Sequence, residues 1–254
     1  MEQYRLKFEC VKDGTVFGLG GSECHGLFFA LLGQAHPDFS HTLHEAKLNP
    51  YSIGPIRGEG CSINGMYPLT SGGEYSFTVS LLTAEMGAVV SSMGELFHPA
   101  HQFRLGSADC RWLAMEKITE SDYLELLKER PGRQFAIVFS SPTCFRRQGV
   151  NLLFPSPELV FGNLAERWNA FAPVPLEVEA GENIFVSRYN LKTSLVRYAN
   201  YKMTGFTGKI EYSFSNSATD ESRQKILALA RFAHFAGIGY KTGMGMGECR
   251  FIKK

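Results

Sequence analysis

From Tyr4 to Val11 the chain mixes aliphatic, aromatic and charged residues in YRLKFECV, a pattern that predicts an opening strand, and GLGG at Gly18 to Gly21 breaks it. The spacing then changes. Leu27, Phe28, Leu31 and Leu32 recur as on one face of a helix over Ser22 to Leu32, with Ser22 placed as its N-cap. A second helix is predicted from Pro37 to Ala46, because Pro suits the first helical position, Asp38 the positive end of the dipole, and Phe39 and Leu43 stand four apart. His41, His44 and Lys47 crowd its end, and Pro50 stops it. Tyr51 to Ile56 reads as a strand that Pro55 confines to a sheet edge. A strand at Tyr75 to Leu82, a helix at Ala84 to Leu96 and a strand at Cys110 to Ile118 complete a β-α-α-β-β-α-β series. That order suits a ferredoxin-like unit, an antiparallel sheet with helices over one face.

The second half predicts a short helix at Ser121 to Arg130, strands at Phe135 to Ser140 and Cys144 to Gln148, and a helix at Pro157 to Phe171 that PVP at Pro173 to Pro175 halts. Strands at Ile184 to Arg188, Leu195 to Tyr198 and Gly208 to Phe214 lead to a helix at Asp220 to Ala236, with Ile226, Leu229, Ala230 and Ala233 on one face. A last strand runs from Glu248 to Ile252. No Gly, Ser or Pro linker divides the halves, so two closely packed units are expected, 1–125 and 126–254.

Composition narrows the function classes. With 44% hydrophobic against 20% charged residues the chain can build a core and is not a disordered tail. A net charge of +1 gives no general cationic field, so any nucleic-acid site must be a local arrangement of Lys and Arg. The six cysteines form no CxxC pair, which argues against structural zinc and fits free thiols in a reducing cytoplasm. MEQYRLKFEC is too charged for a signal peptide, and no apolar run approaches the roughly 18 residues of a membrane helix.

The most informative segment is GIGYKTGMGMGE, Gly237 to Glu248, with five glycines between a helix and a strand. Exposed N–H groups in such a loop could form a concave anion site, and Lys241 and Thr242 would add a charge and a hydroxyl for a phosphate backbone. A tight turn that needs positive φ at several positions would use the same glycines. Neither GxxxxGK[ST] nor a strand-to-helix GxGxxG occurs, so no nucleotide cofactor is expected.

A helix ending in apolar and aromatic residues, followed by G-x-G-x-K-T-x-x-G-M-G and a closing strand, resembles the C-terminal signature of the CRISPR-associated endoribonucleases of the Cas-six family. SPTCFRRQGVNLLFPSPELVFGNLAERWNAF at Ser141 to Phe171 and HTLHEAKLNPYSIGPI at His41 to Ile56 resemble that family's middle and N-terminal segments, in the same order. The resemblance implies an α+β fold of two tandem ferredoxin-like (RRM-like) units packed side by side. It also implies metal-independent cutting of CRISPR precursor RNA within its repeats, leaving a 5′-hydroxyl and a 2′,3′-cyclic phosphate.

Such cleavage needs a base for the 2′-hydroxyl proton, an acid for the departing 5′-oxygen and positive charge near the phosphorane, roles that His and Lys or Arg can fill. In the family the catalytic histidine lies in a Leu-His pair before a Tyr-Ser strand, and Leu43-His44 with Tyr51-Ser52 matches it. His44 is therefore expected as the principal acid/base, His41 as a partner in the proton transfers or a phosphate contact, and Lys47 as the charge. In some relatives a tyrosine about fifteen residues before the histidine completes the site. Phe29 stands there in this chain, and Tyr51 is the expected stand-in for the missing hydroxyl. His25, His36, His98, His101 and His234 read as structural or solvent-facing. Asp and Glu do not cluster as in two-metal nucleases, so no metal is expected.

Arg146, Arg147, Lys192, Arg197, Lys202 and Lys209 interleave with Phe145, Tyr189, Tyr198, Tyr201 and Phe206, a mixture that suits phosphate contacts beside stacked bases. The expected RNA contacts are Arg146, Arg147, Lys192, Lys202, Gly237, Gly239, Lys241, Thr242, Gly243, Gly245 and Gly247. Repeat RNA is the expected partner, with CRISPR effector subunits as further partners and a monomer or homodimer both open. The rival reading is a non-catalytic RNA-binding subunit of an effector complex; an RNA module unrelated to CRISPR would carry aromatic RNP strand motifs, which are missing.

Overall fold

The computed structural model describes residues 1–128 and 132–254. Backbone contacts divide it into two units. The first comprises Met1–Glu120, Leu195–Met203 and Gly243–Gly245; the second comprises Ser121–Ser194, Thr204–Thr242 and Met246–Lys254.

The first unit runs β1 (Glu2–Lys12), β2 (Gly14–Phe17), α1 (Gly21–Ala35), α2 (Pro37–Glu45), β3 (Tyr51–Ile53), β4 (Arg57–Gly58), β5 (Met66–Leu69), β6 (Glu74–Leu81), α3 (Ala84–Ser92), β7 (Gln102–Leu105) and β8 (Ala108–Glu120). Its main sheet has the order β3-β6-β1-β8-β7. Taking β1, β3, β6 and β8 as the four strands of a βαββαβ repeat, that is the 2-3-1-4 order of a ferredoxin-like unit, and all its pairings are antiparallel. Tyr4, Leu6, Phe8 and Cys10 of β1 are buried on alternate positions, so the central strand follows the period of two. Phe8 meets Tyr75, Phe77, Phe103 and Trp112 in the core.

The second unit contains α4 (Tyr123–Leu127), β9 (Gln134–Thr143), the hairpin β10 (Phe145–Arg147) and β11 (Val150–Leu152), α5 (Pro157–Phe171), β12 (Ile184–Arg197), β13 (Lys202–Phe214), α6 (Asp220–Ala236) and β14 (Cys249–Lys253). The ends of β12 and β13 that meet at their connecting turn group with the first unit. The order β12-β13-β9-β14 repeats the 2-3-1-4 arrangement. The fold is α+β, built twice on the ferredoxin-like plan.

Several local expectations change. Ser22 does not cap α1, which begins one residue earlier after Gly20 in a left-handed conformation at φ 73°. α2 ends at Glu45, so Lys47 lies beyond the helix. The strands expected at Ile184 to Arg188 and Leu195 to Tyr198 are one strand of 14 residues. β12 is a sheet edge, most of its middle is exposed, and the run Asn190 to Ser194, apolar only at Leu191, lacks the alternation that marks a half-buried strand. The expected helix at Ser121 to Arg130 appears as α4, its Asp122 cap accepting from the Glu125 N–H at 2.7 Å; Arg130 is outside the described residues.

Candidate active site

Packing of α1 against α2 and β3 brings four rings together in the first unit. Phe29 on α1 has its ring centroid 4.8 Å from His25, one turn earlier, 5.4 Å from His44 on α2 and 5.9 Å from Tyr51 on β3. Leu43 is buried and anchors α2, and the adjacent His44 is exposed. Tyr51 is fully buried, and its hydroxyl lies 3.4 Å from Nδ1 of His25, so the phenol meets a histidine instead of open solution. A half-buried imidazole held by a phenol and an exposed imidazole thus border one phenyl ring. Together they can supply the two proton transfers of an acid/base reaction.

Gly243 reaches this cluster. A methyl group placed on it would come 3.0 Å from Cε2 of Tyr51 and 3.5 Å from Nδ2 of Asn49. Gly245 donates its N–H to the Ile53 carbonyl at 3.0 Å, and a methyl on Gly21 would strike the Met244 carbonyl at 2.0 Å. The middle of the glycine loop is therefore fitted onto β3 and the start of α1.

The outer parts of the loop belong to the second unit, and the N–H groups of their glycines are spent on the protein. Ile238 donates to Gly247, Tyr240 to Cys144, Gly247 to Pro142 and Gly239 to the Asn163 side chain, at 2.8–3.1 Å. Gly237, Gly239, Gly245 and Gly247 all have positive φ. Thr242 is buried, its hydroxyl accepting from the Arg167 guanidinium at 3.1 Å, and the same arginine donates to the Ala236 carbonyl at the end of α6. The expected nest of exposed N–H groups is thus corrected: the glycines at 237, 239, 245 and 247 serve tight turns and close packing, and Thr242 faces inward. Lys241, at φ 61°, has its ammonium 5.3 Å from the Tyr240 ring.

The sequence has relatives that bear on this arrangement. Residues 137–249 match the family described as CRISPR-associated endoribonuclease Cas6. The chain is 26% identical to the CRISPR-associated endoribonuclease Cas6 of Streptococcus thermophilus over 88% of its own length and 89% of that protein. It is 27% identical to the Mycobacterium tuberculosis (strain CDC 1551 / Oshkosh) protein of the same name, over 91% of this chain and 71% of that one. A solved Cas6 product complex superposes with a TM-score of 0.79 at 27% identity, covering 100% of both chains. Over most of its length the chain is similar to Cas6 endoribonucleases.

The remaining sequence-selected residues divide by unit. His41 is exposed, with Nε2 3.8 Å from a Glu45 carboxylate oxygen one turn on, and shares none of the ring contacts that join His25, Phe29, His44 and Tyr51. Lys47 is exposed in the bend after α2, and Lys202 is exposed at the start of β13. In the second unit Arg146 and Arg147 are exposed on β10, where Asn151 of the paired strand accepts from Arg146 at 2.9 Å, and Lys192 is exposed on β12. Sequence reading missed His25. Its signal was available, since His25 stands four residues before Phe29 and so shares the helix face that Phe29 marks. Among the described residues no group of three or more His, Cys, Asp or Glu is placed to hold a metal ion, and no helix is long and apolar enough to cross a membrane.

Proposed function

We propose that this protein is an endoribonuclease that processes CRISPR repeat RNA by general acid/base catalysis, with His44 and His25 sharing the proton transfers. The observation that carries the reading is the grouping of both imidazoles around Phe29, with Tyr51 beneath His25 and Gly243 against Tyr51. The 2′-oxygen of the nucleotide before the cut attacks phosphorus as one imidazole takes its proton, and the P–O5′ bond breaks as the other protonates the 5′-oxygen. The products are a 2′,3′-cyclic phosphate and a 5′-hydroxyl. Tyr51 acts as a positioning residue: its hydroxyl fixes the His25 ring, which replaces the direct role expected of a tyrosine at position 29. Lys47 supplies charge near the phosphorane, and His41 contacts a flanking phosphate. Arg146, Arg147, Lys192, Lys202 and Lys241 hold the backbone.

The test is a comparison of single-turnover cutting and equilibrium binding for parent, His44→Ala and His25→Ala on repeat RNA. Each substitution should lower the rate by about 10²- to 10⁴-fold, the usual worth of a positioned acid or base, and leave binding within a few-fold. Cutting at the parental rate by His44→Ala would remove the assignment. A parent that binds repeat RNA tightly but never cuts it would support the binding-subunit reading.

A further inference from the structure

The turn between β12 and β13 carries a second aromatic arrangement. Tyr198 donates its N–H to the Tyr201 carbonyl at 2.9 Å, closing a tip whose two central residues are Ala199 and Asn200. That closure brings the two tyrosine rings face to face, with centroids 4.8 Å apart and planes 18° from parallel. Tyr198 is the buried member, 4% exposed, and its hydroxyl donates to the Met244 carbonyl at 3.3 Å. Tyr201 is the outer member and is 42% exposed. An adjacent arginine, Arg197, is held at 5.6 Å over the Phe17 ring and donates to the Asn64 carbonyl, which fixes the base of the tip. All of these residues belong to the first unit.

Met244, on which Tyr198 is anchored, stands between Gly243, which meets Tyr51, and Gly245, which bonds β3. The stacked pair and the histidine cluster are therefore fastened to the same three residues. Attack by a 2′-hydroxyl in line with the departing 5′-oxygen cannot occur in a regularly stacked strand, because there the 2′-oxygen lies beside the scissile phosphate and not opposite the leaving group. The nucleotide at the cut must be turned out of the stack, and a displaced base needs another surface to lie on. A pre-ordered, half-exposed aromatic ring is such a surface for any base, and the exposed Lys202 next to it can meet a phosphate.

We propose that Tyr201, backed by Tyr198, is the stacking platform for one unpaired base within a few nucleotides of the scissile bond. This rests on the endoribonuclease reading above and adds to it a residue that selects a splayed RNA conformation. The experiment uses repeat RNAs with 2-aminopurine, and separately an abasic nucleotide, stepped through the positions around the cut. These are combined with parent protein, Tyr201→Phe, and Tyr201→Leu, which keeps an apolar cover on Tyr198 but has no ring. One 2-aminopurine position should be quenched on binding by parent and Tyr201→Phe and not by Tyr201→Leu. Tyr201→Leu should bind about 5- to 150-fold more weakly, the span that loss of one base–aromatic stack produces. An abasic nucleotide at the quenched position should erase that difference. Equal binding and cutting by parent and Tyr201→Leu, or a defect that no abasic position removes, would overturn the platform and leave the nuclease reading intact. A parent that binds no repeat RNA would sink both.

Discussion

Glu211 on β13 keeps its carboxylate between two ammonium groups, Lys254 and Lys209, the latter at 2.9 Å. The bond from Lys254, then that from Lys209, pulls the carboxyl down to about 2. An unfolded Glu titrates near 4.3, so the folded pKa is the lower one, and the unfolded chain binds the proton more readily. The stabilisation is complete above about pH 4.3 and is lost as pH falls from there through about 2. The melting temperature of Glu211→Gln should therefore lie furthest below that of the parent at neutral pH, with the gap closing below about pH 4. A gap unchanged down to pH 2.5 would mean that the ion pairs contribute nothing. Other residues at this scale were unevenly readable. The exposure of His44 beside the buried Leu43 was legible, because Phe39 and Leu43, four apart, set the inward face of α2. The Tyr51 hydroxyl was not, because its direction depends on α1, a separate element whose His25 it meets. The inward turn of Thr242 was hidden for the same reason: its partner, Arg167, is on α5.

At the scale of elements, ends governed by local chemistry were readable. Pro37 and Pro157 open α2 and α5, and the Thr219 hydroxyl accepts from the Ser222 N–H at 3.1 Å to cap α6. The glycine loop was readable as a loop but not in its purpose, because the carbonyls that take its N–H groups come from Pro142 and Cys144, far away in sequence. Its glycines should behave as packing residues. A methyl on Gly247 would lie 2.2 Å from the Ile238 carbonyl oxygen at φ +75°, two penalties that side chains rarely tolerate. Backbone strain of that kind costs on the order of 1–3 kcal/mol, and each kcal/mol lowers the melting point by about 2–4 °C in a chain of this size. Gly247→Ala should thus melt several degrees below the parent. Gly26, exposed inside α1 with nothing within 4 Å of an added methyl, is the contrast. Gly26→Ala should gain about 0.5–1 kcal/mol from helix propensity. If both variants melt like the parent, close packing is not the reason for the loop's composition.

For the whole molecule, the repeated 2-3-1-4 strand order follows from a chain that alternates strand and helix patterns twice, so the ferredoxin-like plan was legible from periodicity in the first half and from family resemblance in the second. What periodicity could not convey is that Leu195–Met203 and Gly243–Gly245 group with the first unit, because that depends on contacts between segments distant in sequence. The histidine cluster and the tyrosine pair both use those segments, so the proposed chemistry depends on the complete chain. That chemistry makes a demand on the substrate that no protein substitution tests. If the nucleophile is the RNA's own 2′-hydroxyl and the charge comes from side chains, then cutting should persist in excess EDTA. It should also vanish when the nucleotide before the cut carries 2′-hydrogen, while binding of that deoxy RNA stays close to that of the ribose form. The two arms report on different steps. Activity lost to chelation and restored by magnesium or manganese would place a metal ion at the phosphate, and the proton-transfer roles of His25 and His44 would have to be reassigned. Cleavage of the deoxy substrate would instead show that water attacks phosphorus, which gives a linear phosphate end that chromatography of the fragments distinguishes from the cyclic one.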